Sequence, residues 1–216
     1  RGAHGVRHTD YNKGANMRIY LIRHAKTVGN ALNRYIGRTD SPLCEEGIAS
    51  AKAAGGDSAL KSVIVTPLMR TQQTARILFP NAEQCIVSGL SEMDFGDFED
   101  RSADDMVNDA AYRAWVDGGC MGRCPNGEGI ASFTERILAS FWQCVRAAEN
   151  AGESRLVFVV HGGVIMALLS AAGRPKKGFY DWYLPNCACV QADTATDSAT
   201  GEAYLENIAV KEKVEI

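Results

Sequence analysis

Two stretches of the sequence decide the fold, Arg18-Ile-Tyr-Leu-Ile-Arg-His24 and Leu156-Val-Phe-Val-Val-His161. Each is a short run of apolar, strand-forming residues that ends on a histidine, and this pattern predicts a buried strand. In an open α/β sheet the carboxyl ends of parallel strands form the ligand crevice. If these two strands are neighbours, His24 and His161 lie side by side in that crevice.

Further strand-like and helix-like segments alternate along the chain. Strands are predicted at residues 62–65, 85–87, 188–192 and 204–208. Helices are predicted at residues 44–54, 67–79 (with Thr66 as N-cap and Pro67 at the first position), 102–117, 131–149 and 162–172. Because a parallel return needs a crossover connection, the alternation predicts an α/β three-layer sandwich, with a mostly parallel central sheet and helices on both faces. A short polar turn at residues 194–201 predicts a hairpin and hence one antiparallel strand.

Length and composition favour one globular unit. The chain has 216 residues, of which 46% are hydrophobic and 23% charged, which suffices for a sizeable core. We expect a single domain over residues 17–216. Residues 1–16 contain no apolar segment typical of a secretory signal. We treat them as a tail, either a polar extension or an artificial addition, and Met17 as a natural start.

Charge and cysteine content narrow the class of protein. The formal net charge is −3, so there is no basic excess with which to coat a nucleic acid. Eight of the 26 acidic residues fall within residues 91–109, which is typical of a solvated face. No stretch approaches the roughly 20 apolar residues that cross a bilayer. Seven cysteines and no N-x-[ST] acceptor predict a reducing, cytoplasmic setting.

Two cysteine pairs raise the alternative of a zinc site. Cys120 with Cys124, and Cys187 with Cys189, would supply four thiolates. Neither pair has the usual C-x2-C step, so free thiols that pack as small hydrophobes are the favoured interpretation. We expect no metal.

Two arginines accompany the strand-end histidines. Arg23 directly precedes His24, and Arg70 falls in the first turn of the helix predicted after Thr66, whose N-terminal N–H groups favour an anion. A lone histidine after a strand is most often a structural hydrogen-bonding residue, and a lone arginine more often forms a surface ion pair. The planar guanidinium fork nevertheless suits phosphate. The combination with His161 predicts a phosphate site.

Four ordered motifs resemble the histidine phosphatase (phosphoglycerate mutase-like) superfamily. They are Leu21-Ile-Arg-His-Ala-Lys-Thr27, Thr66-Pro-Leu-Met-Arg-Thr71, Leu90-Ser-Glu-Met-Asp-Phe-Gly96 and Val160-His-Gly-Gly163. All four occur in the order typical of the superfamily, and the resemblance covers residues 17–208. It implies an α/β sandwich that transfers phosphoryl groups without a cofactor.

The resemblance also implies roles for individual residues. His24 would be the nucleophile that takes the phosphoryl group, with His161 beside it at the catalytic centre. The phosphoryl oxygens would be bound by Arg23, Asn30, Arg70 and His161. Glu92 would be the general acid that protonates the leaving alcohol and later the base that activates water. Neighbouring carboxylates are expected to raise the pKa of Glu92, because they disfavour its ionisation.

The sequence departs from the family pattern at three positions. Ala25 stands where the motif commonly has Gly, so a methyl group is expected to narrow the pocket slightly. Lys26 occupies a position often held by Glu, and Met166 lies where many relatives carry Arg. We therefore expect an altered charge near the substrate.

The block Glu92-Met-Asp-Phe-Gly96 bears on the reaction. The mutase branch has Glu-Arg-His-Tyr-Gly there and a larger insertion before the second histidine, whereas this block resembles small cofactor-independent phosphatases that include α-ribazole phosphatase. We expect a histidine acid phosphatase-type phosphomonoesterase acting on a small phosphorylated metabolite. The alternatives are phosphoglycerate mutase-type transfer and a non-catalytic phosphate-binding module. The physiological substrate and oligomeric state stay open.

The loops from residue 94 to residue 128 should cover the crevice and shape its specificity. Asp94, Asp97 and Glu99 beside the phosphate pocket are expected to repel further anionic groups, with Lys26 as a partial offset. This charge pattern favours small monoesters with neutral or hydroxylated leaving groups over bisphosphates and nucleic acids.

Overall fold

The computed structural model describes residues 16–211 and 213–216, and its centre is a six-stranded sheet. The strands are β1 (Arg18–Arg23), β2 (Ser62–Val65), β3 (Glu83–Ile86), β4 (Arg155–Val160), β5 (Cys189–Thr196) and β6 (Ala203–Lys211). Their order across the sheet is β3-β2-β4-β1-β5-β6. β1 to β4 pair in parallel, and β5 runs antiparallel to both β1 and β6. In this part of the chain β5 is therefore the one antiparallel strand, which confirms the predicted fold class.

Helices cover both faces of the sheet. The α-helices are α1 (Val28–Ala31), α2 (Glu45–Ala53), α3 (Met69–Leu78), α4 (Ala110–Asp117), α5 (Ile130–Asn150) and α6 (Gly162–Ala172). Short 3-10 helices lie at Ser88–Leu90, Gly96–Phe98, Asp104–Met106 and Phe179–Trp182. Helices α5 and α6 share one apolar core with the sheet, and α3 shares the other.

The central strands are apolar on both sides because each side meets a layer of helices. In β1, Ile19 and Leu21 belong to the α5 and α6 core, whereas Tyr20 and Ile22 belong to the α3 core. β4 alternates in the same way. Burying a large apolar side chain contributes roughly 1.5–3 kcal/mol, so both strands are fixed strongly at the centre of the sheet.

Helix α5 confirms the helix predicted over residues 131–149, and an apolar residue recurs at every fourth position on its buried face. Phe133, Ile137, Phe141 and Val145 are all buried on one face. The Phe141 ring packs on Phe158 of β4 with the ring centroids 5.4 Å apart. This contact holds the long helix over the strand that leads to His161.

Two predicted helices begin later than expected. Thr66 is not an N-cap, because the helix starts at Met69 and Leu68 occupies the cap position. The single helix predicted over residues 102–117 is also wrong: a 3-10 turn at Asp104–Met106 precedes α4. Asp109 caps α4 by accepting from the N–H groups of Ala111 and Tyr112.

Residues 16–211 and 213–216 contain neither a membrane-spanning helix nor a cluster of metal ligands. No helix there is long and apolar enough to cross a membrane. No group of three or more His, Cys, Asp or Glu side chains there is placed to hold a metal ion, and the seven cysteines are free thiols. The proposed tail lies outside the described residues except for Asn16.

Candidate active site

The two strand-end histidines meet at one edge of the sheet. β1 and β4 are neighbours with Arg23 level with Val160, and the N–H of His24 donates to the Val160 carbonyl at 2.9 Å. The imidazole rings of His24 and His161 lie 5.3 Å apart between centroids. The juxtaposition predicted from the two strands is therefore present.

The protonation state of His24 follows from its hydrogen bond. Its Nδ1 lies 2.7 Å from the Ala25 carbonyl, which can only accept, so Nδ1 carries the hydrogen and Nε2 has the free lone pair. Burial, with smaller contributions from Arg70 and Arg23, holds the pKa of His24 well below its ordinary value. The ring is therefore neutral at pH 7, and its Nε2 is a competent nucleophile.

His161 is fixed in the opposite tautomer. Arg70 donates its Nε–H to Nδ1 of His161 at 3.1 Å, so the ring hydrogen is on Nε2, which lies 3.0 Å from the Thr66 hydroxyl. Burial and the Arg70 charge keep the pKa of His161 well below its ordinary value. Thr66, predicted as a helix cap, thus orients the second histidine.

Arg70 supports this arrangement from a fully buried position. Its guanidinium donates to the carbonyls of Thr39 at 2.9 Å and Gly37 at 2.7 Å, besides His161. The anion site predicted at the start of its helix is filled from within the chain, since the Asp40 carboxylate accepts from the Met69 N–H at 2.7 Å. Direct phosphate contacts from Arg70 and His161 stay predictions.

A cavity of about 320 Å³ opens beside His24, and Arg70 and His161 are not among the residues that line it. Arg23 does line it. Nε of Arg23 is buried and has no hydrogen-bond partner, while its Nη1 donates to the Leu184 carbonyl. An unpartnered guanidinium N–H in a buried cavity wall suits an anion, because a buried donor without an acceptor is costly.

Glu92 reaches the same cavity from the loop after Ser88–Leu90. Its Oε1 accepts from the Met93 N–H and its Oε2 from the Gly163 N–H, both at 3.0 Å. The pKa of Glu92 is raised, as expected. The cause is burial, however, and not the neighbouring carboxylates, so that part of the prediction is wrong.

Asn30 lines the cavity beside His24. Its Oδ1 accepts from the Thr27 N–H at 3.2 Å within a capping box at the start of α1. That bond orients the amide and leaves its NH2 group as the donor for a ligand.

Comparison with known proteins settles the family. Residues 19–206 match the model of the histidine phosphatase superfamily, branch 1. The chain belongs to this superfamily. It is 32% identical over 217 residues to the protein named "Probable phosphoglycerate mutase GpmB" of Erwinia tasmaniensis, with 91% of this chain and 98% of that protein covered.

The solved structures show the same fold. The α-ribazole phosphatase of Shigella flexneri superposes with a TM-score of 0.74 at 25% identity, covering 93% of this chain and 99% of the other. A phosphoglycerate mutase of Bacillus anthracis superposes with a TM-score of 0.73 at 20% identity, covering 93% and 95%. Both a phosphatase and a mutase are thus among the structural neighbours.

The three departures from the superfamily pattern have different outcomes. Ala25 is buried against Leu43 and Ala51 and does not line the cavity, so the expected narrowing of the pocket is wrong. The Lys26 ammonium pairs with Glu46 at 2.7 Å outside the cavity. Met166 does line the cavity, and it presents an apolar side chain there.

The expected wall of carboxylates around the pocket is not present. Asp94 pairs with Arg38, Asp97 accepts from the Asn126 amide, and Glu99 accepts from backbone N–H groups that include Gly37. None of these three acids lines the cavity. They hold the covering loops in place because Asp and Glu readily accept hydrogen bonds from loop N–H groups.

Sequence reasoning missed the aromatic lining of the cavity. Seven of its 19 lining residues are aromatic, and they come from segments far apart in the sequence. They are Tyr35, Phe95, Trp115, Phe133, Phe179, Tyr180 and Tyr183. The loop after α4 adds Cys120 to this lining. No local pattern marks such residues, because only the folded chain brings them together.

Gly163 leaves the space that the Glu92 carboxylate occupies. A Cβ at this position would lie 2.3 Å from Oε1 of Glu92. Gly163→Ala is therefore expected to displace the carboxylate and lower kcat/KM for alkyl phosphates roughly 10- to 100-fold, since an ångström of misplacement costs about that much. Steady-state kinetics on purified variants would measure the effect.

Gly118→Ala is the matched control for this prediction. A Cβ there meets nothing closer than 3.4 Å, and its backbone φ of −77° suits alanine. Activity of the control should equal that of the wild type. Wild-type kinetics in Gly163→Ala would contradict the positioning of Glu92 described above.

Proposed function

We propose that the protein is a phosphomonoester hydrolase that acts through a phosphohistidine on His24 and takes a small phosphorylated metabolite. The observation that carries this proposal is the shared cavity of three groups. The unprotonated Nε2 of His24, the carboxyl of Glu92 and the unpartnered Nε–H of Arg23 are a nucleophile, an acid and an anion donor.

The reaction proceeds in two displacements at phosphorus. Nε2 of His24 forms a bond to phosphorus as the bond to the alcohol oxygen breaks, and the protonated Glu92 gives its proton to that oxygen. Arg23 and the Asn30 amide stabilise the charge on the equatorial oxygens. Water then attacks phosphorus, Glu92 takes its proton, and the P–N bond breaks to return neutral His24 and phosphate.

The charges in the cavity support hydrolysis over mutase activity. Phosphoglycerate carries a carboxylate besides its phosphate, and both need cations. The cavity is lined by Arg23 and Arg34, and the Arg34 guanidinium is already paired with Asp100 at 3.1 Å. Phosphoglycerate mutase-type transfer remains the alternative because a curated relative carries that name.

The reducing cytoplasm is the proposed setting. Burial raises the pKa of Cys124 and of Cys189 to about 12, so both thiols stay protonated and resist oxidation. Buried free thiols of this kind persist where disulfides do not form. A membrane or a nucleic acid is not a proposed partner.

Two rates measured on one enzyme preparation test the proposed function. The wild type is expected to hydrolyse para-nitrophenyl phosphate in EDTA at an unchanged rate, because the residues named above supply nucleophile, acid and anion binding without a metal. The same preparation should convert 3-phosphoglycerate to 2-phosphoglycerate at least about 100-fold more slowly, which corresponds to roughly 2.7 kcal/mol.

Three outcomes would overturn the proposal. Loss of hydrolysis in EDTA would indicate a metal-dependent reaction. Faster isomerisation than hydrolysis would establish the mutase alternative. Phosphate binding with no turnover of any ester would establish the non-catalytic module.

A further inference from the structure

Apart from Arg23, His24, Asn30, Arg34 and Glu92, the residues that line the cavity are apolar, aromatic or glycine. Tyr35, Phe95 and Trp115 pack against one another with ring centroids 5.3 to 6.4 Å apart. The Tyr35 hydroxyl lies 2.9 Å from that of Tyr112, and the Trp115 indole donates to the Gly122 carbonyl at 3.2 Å. Partners outside the cavity therefore satisfy the polar atoms of Tyr35 and Trp115 and leave ring surface for a ligand.

A second aromatic group comes from the 3-10 helix at Phe179–Trp182 and the residue after it. Phe179, Tyr180 and Tyr183 line the cavity, and the exposed Tyr183 ring lies 5.5 Å from the Arg23 guanidinium. Cys120, which follows α4, also lines the cavity, and its N–H donates to the Trp115 carbonyl at 3.0 Å.

The charges of the cavity are already used. Of its two cations, Arg23 lies beside His24 and Arg34 is paired with Asp100. Its carboxylate, Glu92, is the proposed acid. Met166 adds an apolar surface from α6. Apart from Arg23 and the Asp100-paired Arg34, no lining side chain carries a positive charge that could pair with a second anionic group on a substrate.

We propose that the leaving group of the natural substrate is an uncharged, apolar ring, held between the two aromatic groups and Met166. This inference rests on the proposed function and specifies its substrate class. A cavity of about 320 Å³ is at the small end for ligand sites, which fits a phosphoryl group with one compact ring system. The apolar wall of the cavity, and not the repulsion by carboxylates that the sequence analysis predicts, is then the source of substrate specificity.

The kinetic test uses two esters whose alcohols have similar acidity, so the chemical step is equally difficult for both. These are 2-phenylethyl phosphate and glycerol 1-phosphate. The wild type should show at least a tenfold higher kcat/KM for the phenylethyl ester, because ring surface is buried only with that substrate. Equal rates, or a preference for glycerol 1-phosphate or 3-phosphoglycerate, would overturn the inference.

Two variants test whether the wall itself causes the preference. Tyr180→Ser should reduce the ratio of the two kcat/KM values about threefold or more, because half of this ring is exposed and its loss leaves the core intact. Met166→Arg should lower the phenylethyl rate and raise that of 3-phosphoglycerate. Val210→Ser, on the exposed face of β6, is the control and should keep the wild-type ratio. Unchanged ratios in both cavity variants would contradict the inference.

A binding measurement separates this inference from the proposed function. Calorimetry with 2-phenylethylphosphonate and methylphosphonate, neither of which can be hydrolysed, should show at least tenfold tighter binding of the first. If the ring preference is present but no ester is turned over, the proposed hydrolysis fails and the substrate class stands. If esters are hydrolysed but the phosphonates bind equally, the substrate class fails and the hydrolase stands.

Discussion

Replacing His24 with alanine is expected to abolish turnover, with kcat/KM reduced by roughly four to six orders of magnitude, as for removal of other covalent nucleophiles. The reason is geometric as well as chemical. Nδ1 of His24 is committed to the Ala25 carbonyl, so Nε2 is the one nitrogen that can attack. His161 cannot take over, because Arg70 and Thr66 occupy both of its ring nitrogens.

Trapping of the intermediate checks this prediction directly. The enzyme is denatured in base during turnover of an ester that is labelled on its phosphoryl group. This should yield a phosphoenzyme that is labile in acid and stable in base, with the label on His24. The His24→Ala protein should carry no label, while its circular dichroism and melting temperature show that it is folded. Label on a serine, aspartate or cysteine would refute covalent catalysis by His24.

The centre of the fold was predictable because its signal is local and strong. Apolar runs such as residues 18–23 and 155–160 are buried on both faces, so burial energy alone selects a central strand. Both histidine positions follow from these strands. More than 130 residues separate β1 from β4, however, so no local pattern indicates that they pair. The prediction that they are neighbours depended on the general topology of parallel sheets.

Helix starts were less predictable because tertiary contacts compete with local capping. Thr66 has the residue type of an N-cap and precedes Pro67, yet its hydroxyl contacts His161 and Thr71. The helix therefore begins at Met69. Asp40, from a different segment, then supplies the anion at that helix start. A local pattern carries no information on such a distant partner.

The acids from residue 91 to residue 109 show the same limit for the site. Composition marks all eight as one charged face, but Glu92 is held at α6 by the Gly163 N–H, whereas Glu99 binds the backbone of Gly37 and Arg38. Motif position singled out Glu92 correctly as a cavity residue. The supporting role of Glu99 depends on a contact some 60 residues away in sequence.

The role assigned to Glu92 predicts a dependence on the leaving group. Glu92→Gln should lower kcat/KM for alkyl phosphates by roughly 100- to 10,000-fold, because an alkoxide leaves poorly without a proton. The effect on para-nitrophenyl phosphate should stay below about tenfold, since nitrophenolate needs little protonation. The value of kcat/KM reports the steps up to loss of the alcohol, so the later role of Glu92 as a base does not enter it.

Asp97→Asn is the matched control for this comparison. Asp97 lies in the same acidic segment, is exposed and accepts from the Asn126 amide outside the cavity. Its replacement should leave both esters unaffected. Equal slowing of alkyl and aryl esters in Glu92→Gln would refute the acid role, because a general acid acts only on the leaving oxygen.

The pH dependence provides a second, independent measure of the same role. Burial raises the pKa of Glu92 and lowers that of His24, so both shifts favour the form with a protonated acid and a neutral nucleophile. As pH rises through the raised pKa, the acid is lost, and the alkyl-to-aryl ratio of kcat/KM should fall in the wild type. In Glu92→Gln this ratio should be low and independent of pH.

The Glu92→Gln variant should still form the phosphoenzyme from the aryl ester, but it lacks the base that activates water for the second step. Hydrolysis of para-nitrophenyl phosphate by this variant should therefore show a burst of nitrophenol followed by a slow steady state.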